Sequence, residues 1–128
     1  MVWMASDPAC ANEAFNITNG DLFRWSNFWP RLAAYFDMEV GSRQQVRLAD
    51  MMRDKGPVWD RLVAEHGLRP IAYEQIASWA YGDFVFSAGY DIISSTLKAR
   101  QYGFHEAVDS EAMFLRLFDE LRAQRVIP

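Results

Sequence analysis

A single cysteine, Cys10, in 128 residues leaves no internal disulfide to form, which suits a reducing compartment. Basic residues are scarce: 13 Lys and Arg face 17 Asp and Glu, for a net charge of −4. That balance excludes binding to nucleic acid through a general basic face. No apolar run approaches the ~20 residues that a membrane helix needs. The opening Met1-Val2-Trp3-Met4-Ala5-Ser6-Asp7-Pro8 has neither the basic n-region nor the apolar stretch of a secretory signal. A cytoplasmic protein is therefore expected, and the sequon Asn16-Ile17-Thr18 is read as a chance match. The seven glycines, at 20, 41, 56, 67, 82, 89 and 103, form neither GxGxxG nor a Walker A loop. None of the tyrosines at 35, 73, 81, 90 and 102 is followed four places later by lysine. His66 and His105 lie far apart and lack a nearby carboxylate–histidine cluster, so no metal site is expected.

What the chain does have is apolar and aromatic mass: 51% hydrophobic and 15% aromatic residues, enough for one domain with a real core. Residues 2–5 read as the last turn of an apolar helix, stopped by Asp7-Pro8. Such a start fits either a missing upstream segment or an ordinary frayed terminus. Residues 13–18 alternate polar and apolar, with Phe15 and Ile17 on one face, and run into the turn signal Asn19-Gly20-Asp21. The alternation predicts a short strand followed by a loop. Residues 25–36 carry an aromatic stripe at helical spacing, with Ser26 as N-cap, Pro30 in the first turn and Gly41 closing the segment.

Short helices are predicted over 46–52, over 57–66 with a stop at Gly67, and from Ile71 onward. Residues 79–86 are aromatic enough to be a strand by propensity, but their spacing favours helix. Residues 90–94 read as a second short strand, 98–102 as a brief helix ended by Gly103, and Ser110 as the cap of a closing helix. The expected class is α/β, mostly helical with two short strands, and two strands alone make a poor sheet.

Catalytic chemistry is not visible. Cys10 lies near Asp7 and Glu13, which raise a thiol pKa, so it is not a nucleophile candidate. Ser94 and Ser95 have no histidine within reach of sequence and read as hydrogen-bonding groups at a strand end. Asp109, Glu111, Asp119 and Glu120 read as a solvated helix face. The aromatic load itself is the candidate. Core filling explains most of Trp25, Trp29, Phe36, Phe114 and Phe118, whereas Trp79-Ala80-Tyr81-Gly82-Asp83-Phe84 fits either core or the wall of an apolar ligand pocket.

Several blocks, in order, carry a family resemblance. They are residues 12–21, Phe23-x-Trp25 with Trp29, Lys55-Gly56-Pro57-Val58-Trp59, Trp79-Ala80-Tyr81-Gly82-Asp83, Lys98-Ala99-Arg100-Gln101-Tyr102-Gly103-Phe104 and Val126-Ile127-Pro128. Together they resemble the C-terminal part of the progesterone 5β-reductase and iridoid synthase family of extended short-chain dehydrogenases/reductases. The resemblance implies a complete enzyme that reduces the activated C=C bond of an enone with hydride from NADPH. It implies that residues 1–128 form one substrate-binding portion, with 12–21 a strand and loop at the edge of a Rossmann-type sheet. The Gly-rich loop and the catalytic Tyr and Lys lie upstream in that family, in a nucleotide-binding domain absent from this sequence.

Tyr81 falls where the family places a pocket-lining aromatic, usually Phe, and Trp79 matches a neighbouring aromatic. Ala80 replaces a second Trp, which either enlarges the site or alters packing. The resemblance therefore implies Tyr81 and Trp79 as substrate-binding residues, no catalytic, cofactor-binding or metal-binding residue on this chain, and no NADPH binding by the chain alone. The implied substrate is a small apolar carbonyl compound. Two other readings remain open: a non-enzymatic module for an apolar ligand or partner, and part of an extended-family epimerase or dehydratase. The unpaired strand around Phe15 and Ile17 predicts a homo-oligomer, or association with the missing N-terminal domain.

Overall fold

A computed structural model describes residues 2–128; Met1, the first residue of the expected 1–128 portion, lies outside the described residues. The described residues form eight α-helices: α1 (Val2–Ser6), α2 (Trp25–Tyr35), α3 (Leu48–Met51), α4 (Gly56–His66), α5 (Tyr73–Ile76), α6 (Trp79–Phe86), α7 (Leu97–Gln101) and α8 (Ser110–Ala123). A 3-10 turn, Pro8–Cys10, follows α1, its first turn held by the Asp7 carboxylate, which accepts the N–H of Ala9. The expectation of a mostly helical chain is met, whereas the two strands are not formed.

Among the described residues there is no strand. Residues 13–18 and 90–94 lack a neighbour to pair with, and a strand exists only through its ladder. Residues 13–18 are tethered through side chains instead. Asn16 Nδ2 donates to the Ser95 carbonyl at 3.2 Å, and Lys98 Nζ donates to Glu13 and to the Ala14 carbonyl. Phe15 sits between Trp3 and Tyr102, with ring centroids 5.2 and 5.1 Å away.

Helix ends follow local chemistry. α4, α7, α2 and α8 close with a left-handed residue, at Gly67, Gly103, Asp37 and Arg125 respectively. In each, the N–H of the next residue returns to a carbonyl of the last turn: Leu68 to Val63, Phe104 to Ala99, Met38 to Ala33 and Val126 to Leu121. Two predicted caps move. α2 begins at Trp25 after Arg24, so Ser26 lies inside the helix and does not cap it, and Pro30 is its sixth residue. α8 is capped by Asp109, whose carboxylate accepts the Ala112 N–H, and Ser110 is its buried first residue.

The core is thin and largely aromatic. Phe28 of α2 is fully buried, with Phe114 of α8 stacked at 5.3 Å, Phe23 at 6.2 Å, and Trp25 beside them. Phe114 continues to Phe118, which meets Tyr35 and Phe36 at the far end of α2. The predicted core residue Trp29 is instead 47% exposed. A second cluster gathers around Trp59 of α4, whose Nε1 donates to the Ile71 carbonyl at 2.7 Å. The two clusters are joined by backbone: Arg69 N–H donates to the Arg125 carbonyl at 2.7 Å.

The chain exposes 10170 Å². A compact monomer of 14.8 kDa exposes about 7,000 Å², so roughly 3,000 Å² of surface is in excess.

Candidate functional site

Helix α6 carries the residues singled out by sequence, Trp-Ala-Tyr-Gly-Asp-Phe-Val-Phe. It is apolar all round apart from Asp83, the pattern of a helix surrounded on every side. Here only part of its circumference is covered. Gly82 faces α3 so closely that a Cβ would stand 2.9 Å from Leu48 Cδ1. Trp79 is half-buried, 6.1 Å from the ring of Tyr73 in α5, and Tyr73 in turn donates its hydroxyl to the Met52 carbonyl. Phe86 meets Trp25 at 5.0 Å and Trp29 at 6.3 Å, which ties the end of α6 to α2.

The remaining face is open. Tyr81 is 66% exposed and Phe84 71%, with their rings 6.2 Å apart and tilted by 32°. Two residues apart on a helix is about 200° of rotation. Trp79 and Tyr81 therefore project to nearly opposite sides, and the structure does not bring them into one pocket. Phe84, one turn from Tyr81, shares its side. Phe84 belongs to the aromatic block of the sequence, and its i+3 spacing from Tyr81 is the signal that the two share a face.

A separate open cleft of about 300 Å³ lies between residues 18–22 and 93–97, lined by Leu22, Ile93, Ser94, Thr96, Leu97 and Arg100. Neither Trp79 nor Tyr81 reaches it. One wall of this cleft is well fixed. Asp21 accepts the N–H of Ser110 at 2.7 Å and its hydroxyl at 2.8 Å, and Asn19 donates to the same hydroxyl and accepts from Val108 N–H. The backbone hydrogen bond from Ser110 is the main reason the Asp21 carboxyl lies below its ordinary pKa, working against partial desolvation.

Three of the four acidic residues read as a solvated face have partners. Glu111 pairs with Arg31, Asp119 accepts the Tyr35 hydroxyl at 2.7 Å, and Asp109 caps α8. Burial, then the hydrogen bond to Asp119, pushes the Tyr35 hydroxyl above its usual pKa. Cys10 is buried, and burial followed by Asp7 and Glu13 raises its thiol pKa, the direction expected from the sequence. Among the described residues, no three His, Cys, Asp or Glu side chains gather as a metal site would require.

The start of α8 does not fit the pyrophosphate of a dinucleotide. A pyrophosphate needs a glycine-rich turn leading into a free helix N-terminus. The N-terminus of α8, the longest helix, is instead occupied by the carboxylates of Asp21 and Asp109, with Glu111 in its first turn. Among the described residues, no helix is long and apolar enough to cross a membrane.

No family model matches the chain. It is 40% identical over 131 residues to an (S)-8-oxocitronellyl enol synthase of Nepeta cataria, a match covering 99% of this chain and 33% of that protein. An (S)-8-oxocitronellyl enol synthase of Catharanthus roseus is 36% identical, covering 99% of this chain and 34% of that protein. The chain resembles the C-terminal part of an iridoid synthase. A short chain dehydrogenase of Penicillium aethiopicum, 35% identical over 142 residues and matched over 38% of its length, widens the resemblance beyond plants to the short-chain dehydrogenases/reductases. The chain spans about a third of the length of the curated relatives it matches. The iridoid synthases are of the progesterone 5β-reductase kind, so the family implied by the ordered sequence blocks is supported across the whole chain.

Proposed function

We propose that this chain is the substrate-side part of an NAD(P)H-dependent reductase of activated C=C bonds, inactive by itself. The observation that carries the reading is the open face of α6: a helix built to be surrounded, with Tyr81 and Phe84 side by side and uncovered. Adjacent aromatic rings offer flat apolar area to an enone, and the Tyr81 hydroxyl offers one donor to a polar group on it. Trp79, on the opposite side of α6, packs against Tyr73 and anchors the start of the helix. Held against a second domain, the wall would exclude water from the ligand and orient it. NADPH would be bound by the upstream nucleotide-binding domain that the resemblance implies, because the start of α8 offers its pyrophosphate no cradle. The relatives are named enol synthases and a dehydrogenase, which favours this reading over an epimerase or dehydratase.

The same reading assigns the excess surface. Residues 13–18 lie outside any helix, and among the described residues the N–H groups of 14–18 donate to no other backbone carbonyl. Nearby, Leu22, Ile92, Ile93 and Leu97 are each more than 60% exposed. Roughly 3,000 Å² on one partner, about 6,000 Å² counted over both, is the size of a large obligate interface. The partner proposed is the remaining two-thirds of the reductase, with 12–21 joining the edge of its sheet. Without it, copies of this chain associate with one another.

The test is an NMR titration of the 128-residue chain with 2-cyclohexen-1-one. Shifts should centre on Tyr81 and Phe84, and Tyr81→Ala should weaken binding about tenfold, about 1.4 kcal/mol. Shifts confined to the Arg100 cleft, or an undiminished affinity in Tyr81→Ala, would contradict the assignment.

A further inference from the structure

Asp83 is the one charged residue of α6, and its carboxylate does not simply face water. Oδ1 accepts the backbone N–H of Leu48 at 2.6 Å, and Oδ2 accepts that of Ala49 at 3.1 Å. Both donors belong to the start of α3, where the residue preceding the helix, Arg47, supplies no side-chain cap. A carboxylate on one helix thus caps another that lies 35 residues earlier in the chain. Gly82, the adjacent residue, admits Leu48 Cδ1 to within 2.9 Å of where a Cβ would be. Two neighbouring positions on α6, one by charge and one by the lack of a side chain, clamp α3.

Tyr81 and Phe84 stand immediately before and after this pair. Their exposed rings have little packing of their own to hold them, so their direction is set by the rotation of α6 about its axis. A helix rotates by about 100° per residue, and even a fraction of that would carry both rings away from a ligand. Trp79 against Tyr73 and Phe86 against Trp25 and Trp29 hold the two ends of α6, and between them Gly82 and Asp83 hold its middle to α3 beside these rings.

We propose that Asp83 is a positioning residue for the ligand wall: by holding the first two amides of α3, it fixes the angle at which Tyr81 and Phe84 are presented. The inference rests on the reading of that face as ligand-binding. It adds a residue that touches no ligand, and it gives α3 a purpose as a brace.

Asp83→Ala, Asp83→Asn and Asp83→Glu are compared with Asn19→Ala, which weakens the distant attachment to α8. Each is made in the 128-residue chain and followed by amide exchange, ring resonances and titration with 2-cyclohexen-1-one. In Asp83→Ala, exchange at Leu48 and Ala49 should quicken at least tenfold, the Tyr81 and Phe84 ring resonances should shift, and affinity should fall about tenfold. Asp83→Glu, which keeps both acceptor oxygens, should recover part of each effect. Asn19→Ala should leave affinity unchanged at an equal loss of melting temperature. Should Asp83→Ala fail to fold, Asp83→Asn, with one acceptor left, should show the same changes at smaller size. Unmoved ring resonances, or an equal affinity loss in Asn19→Ala, would overturn the proposal. If the unmodified chain binds no enone, the ligand-wall reading fails by itself, and ring shifts with amide exchange still decide whether Asp83 sets the angle of the face.

Discussion

Asp21 shows how one carboxylate can organise two segments that sequence places far apart. It sits in the turn Asn19-Gly20-Asp21, which was legible as a turn, yet its target Ser110 lies 89 residues later. No local rule links the two, which is why Ser110 was read as a cap when its own amide is the one being held. The arrangement has a pH consequence. Because the Asp21 pKa is lowered in the folded chain, its contribution is present in full above the ordinary carboxylate pKa of about 4. It is lost as pH falls from there through the lowered value. Asp21→Asn should melt lower than the unmodified chain at pH 7, and the difference should shrink as pH falls below about 4. A difference independent of pH would show that the charge of Asp21 is irrelevant to its hold on Ser110. Arg125 makes a different point at this scale. It adopts φ +55° to close α8, a conformation that costs a side chain about 1 kcal/mol relative to glycine. Arg125→Gly should raise stability by roughly 0.5–1 kcal/mol in denaturant titration, since its hydrogen bond to Arg69 uses only backbone.

At the scale of elements, helices were legible because their determinants are local. Gly67 and Gly103 end α4 and α7 where expected, and the apolar spacing of α2, α4 and α8 survives in the structure. α6 is a helix despite its aromatic content, as its spacing favoured over its propensity. Strands were not recoverable in the same way. The alternation at residues 13–18 is real, and Phe15 does face inward between Trp3 and Tyr102, but a ladder needs a neighbour that sequence alternation cannot supply. The two residues expected to bind substrate, Tyr81 and Trp79, are placed differently by the helix. Tyr81 stands on an open face as a ligand wall would require, whereas the turn of the helix sends Trp79 to the opposite side, a consequence of 100° per residue that family matching by position does not reveal. The bridge between α2 and α8 carries most of the well-packed aromatic mass. Removing its centre with Phe28→Ala should cost about 3–5 kcal/mol, seen as a fall in denaturant midpoint. A loss under 1 kcal/mol would mean that the stack around Phe28 contributes little to stability.

For the whole molecule, the decisive quantity is surface rather than any residue. A chain that leaves some 3,000 Å² more exposed than its mass warrants, and buries few apolar side chains completely, has the surface that the proposed docking part would need. That agrees with relatives about three times as long. It also accounts for the features that sequence left without a purpose: an extended segment with no sheet, an all-apolar helix with an open side, and a cleft floored by loops. Under the proposed function, the ligand wall lies on this chain and the nucleotide elsewhere. The most direct test is a calorimetric titration of the purified 128-residue chain with NADPH. The account predicts no binding, because the chain has no glycine-rich turn and the start of α8 is held by carboxylates. Micromolar binding would mean that the chain builds a nucleotide site of its own, and its description as the substrate-side part of a larger reductase would be wrong.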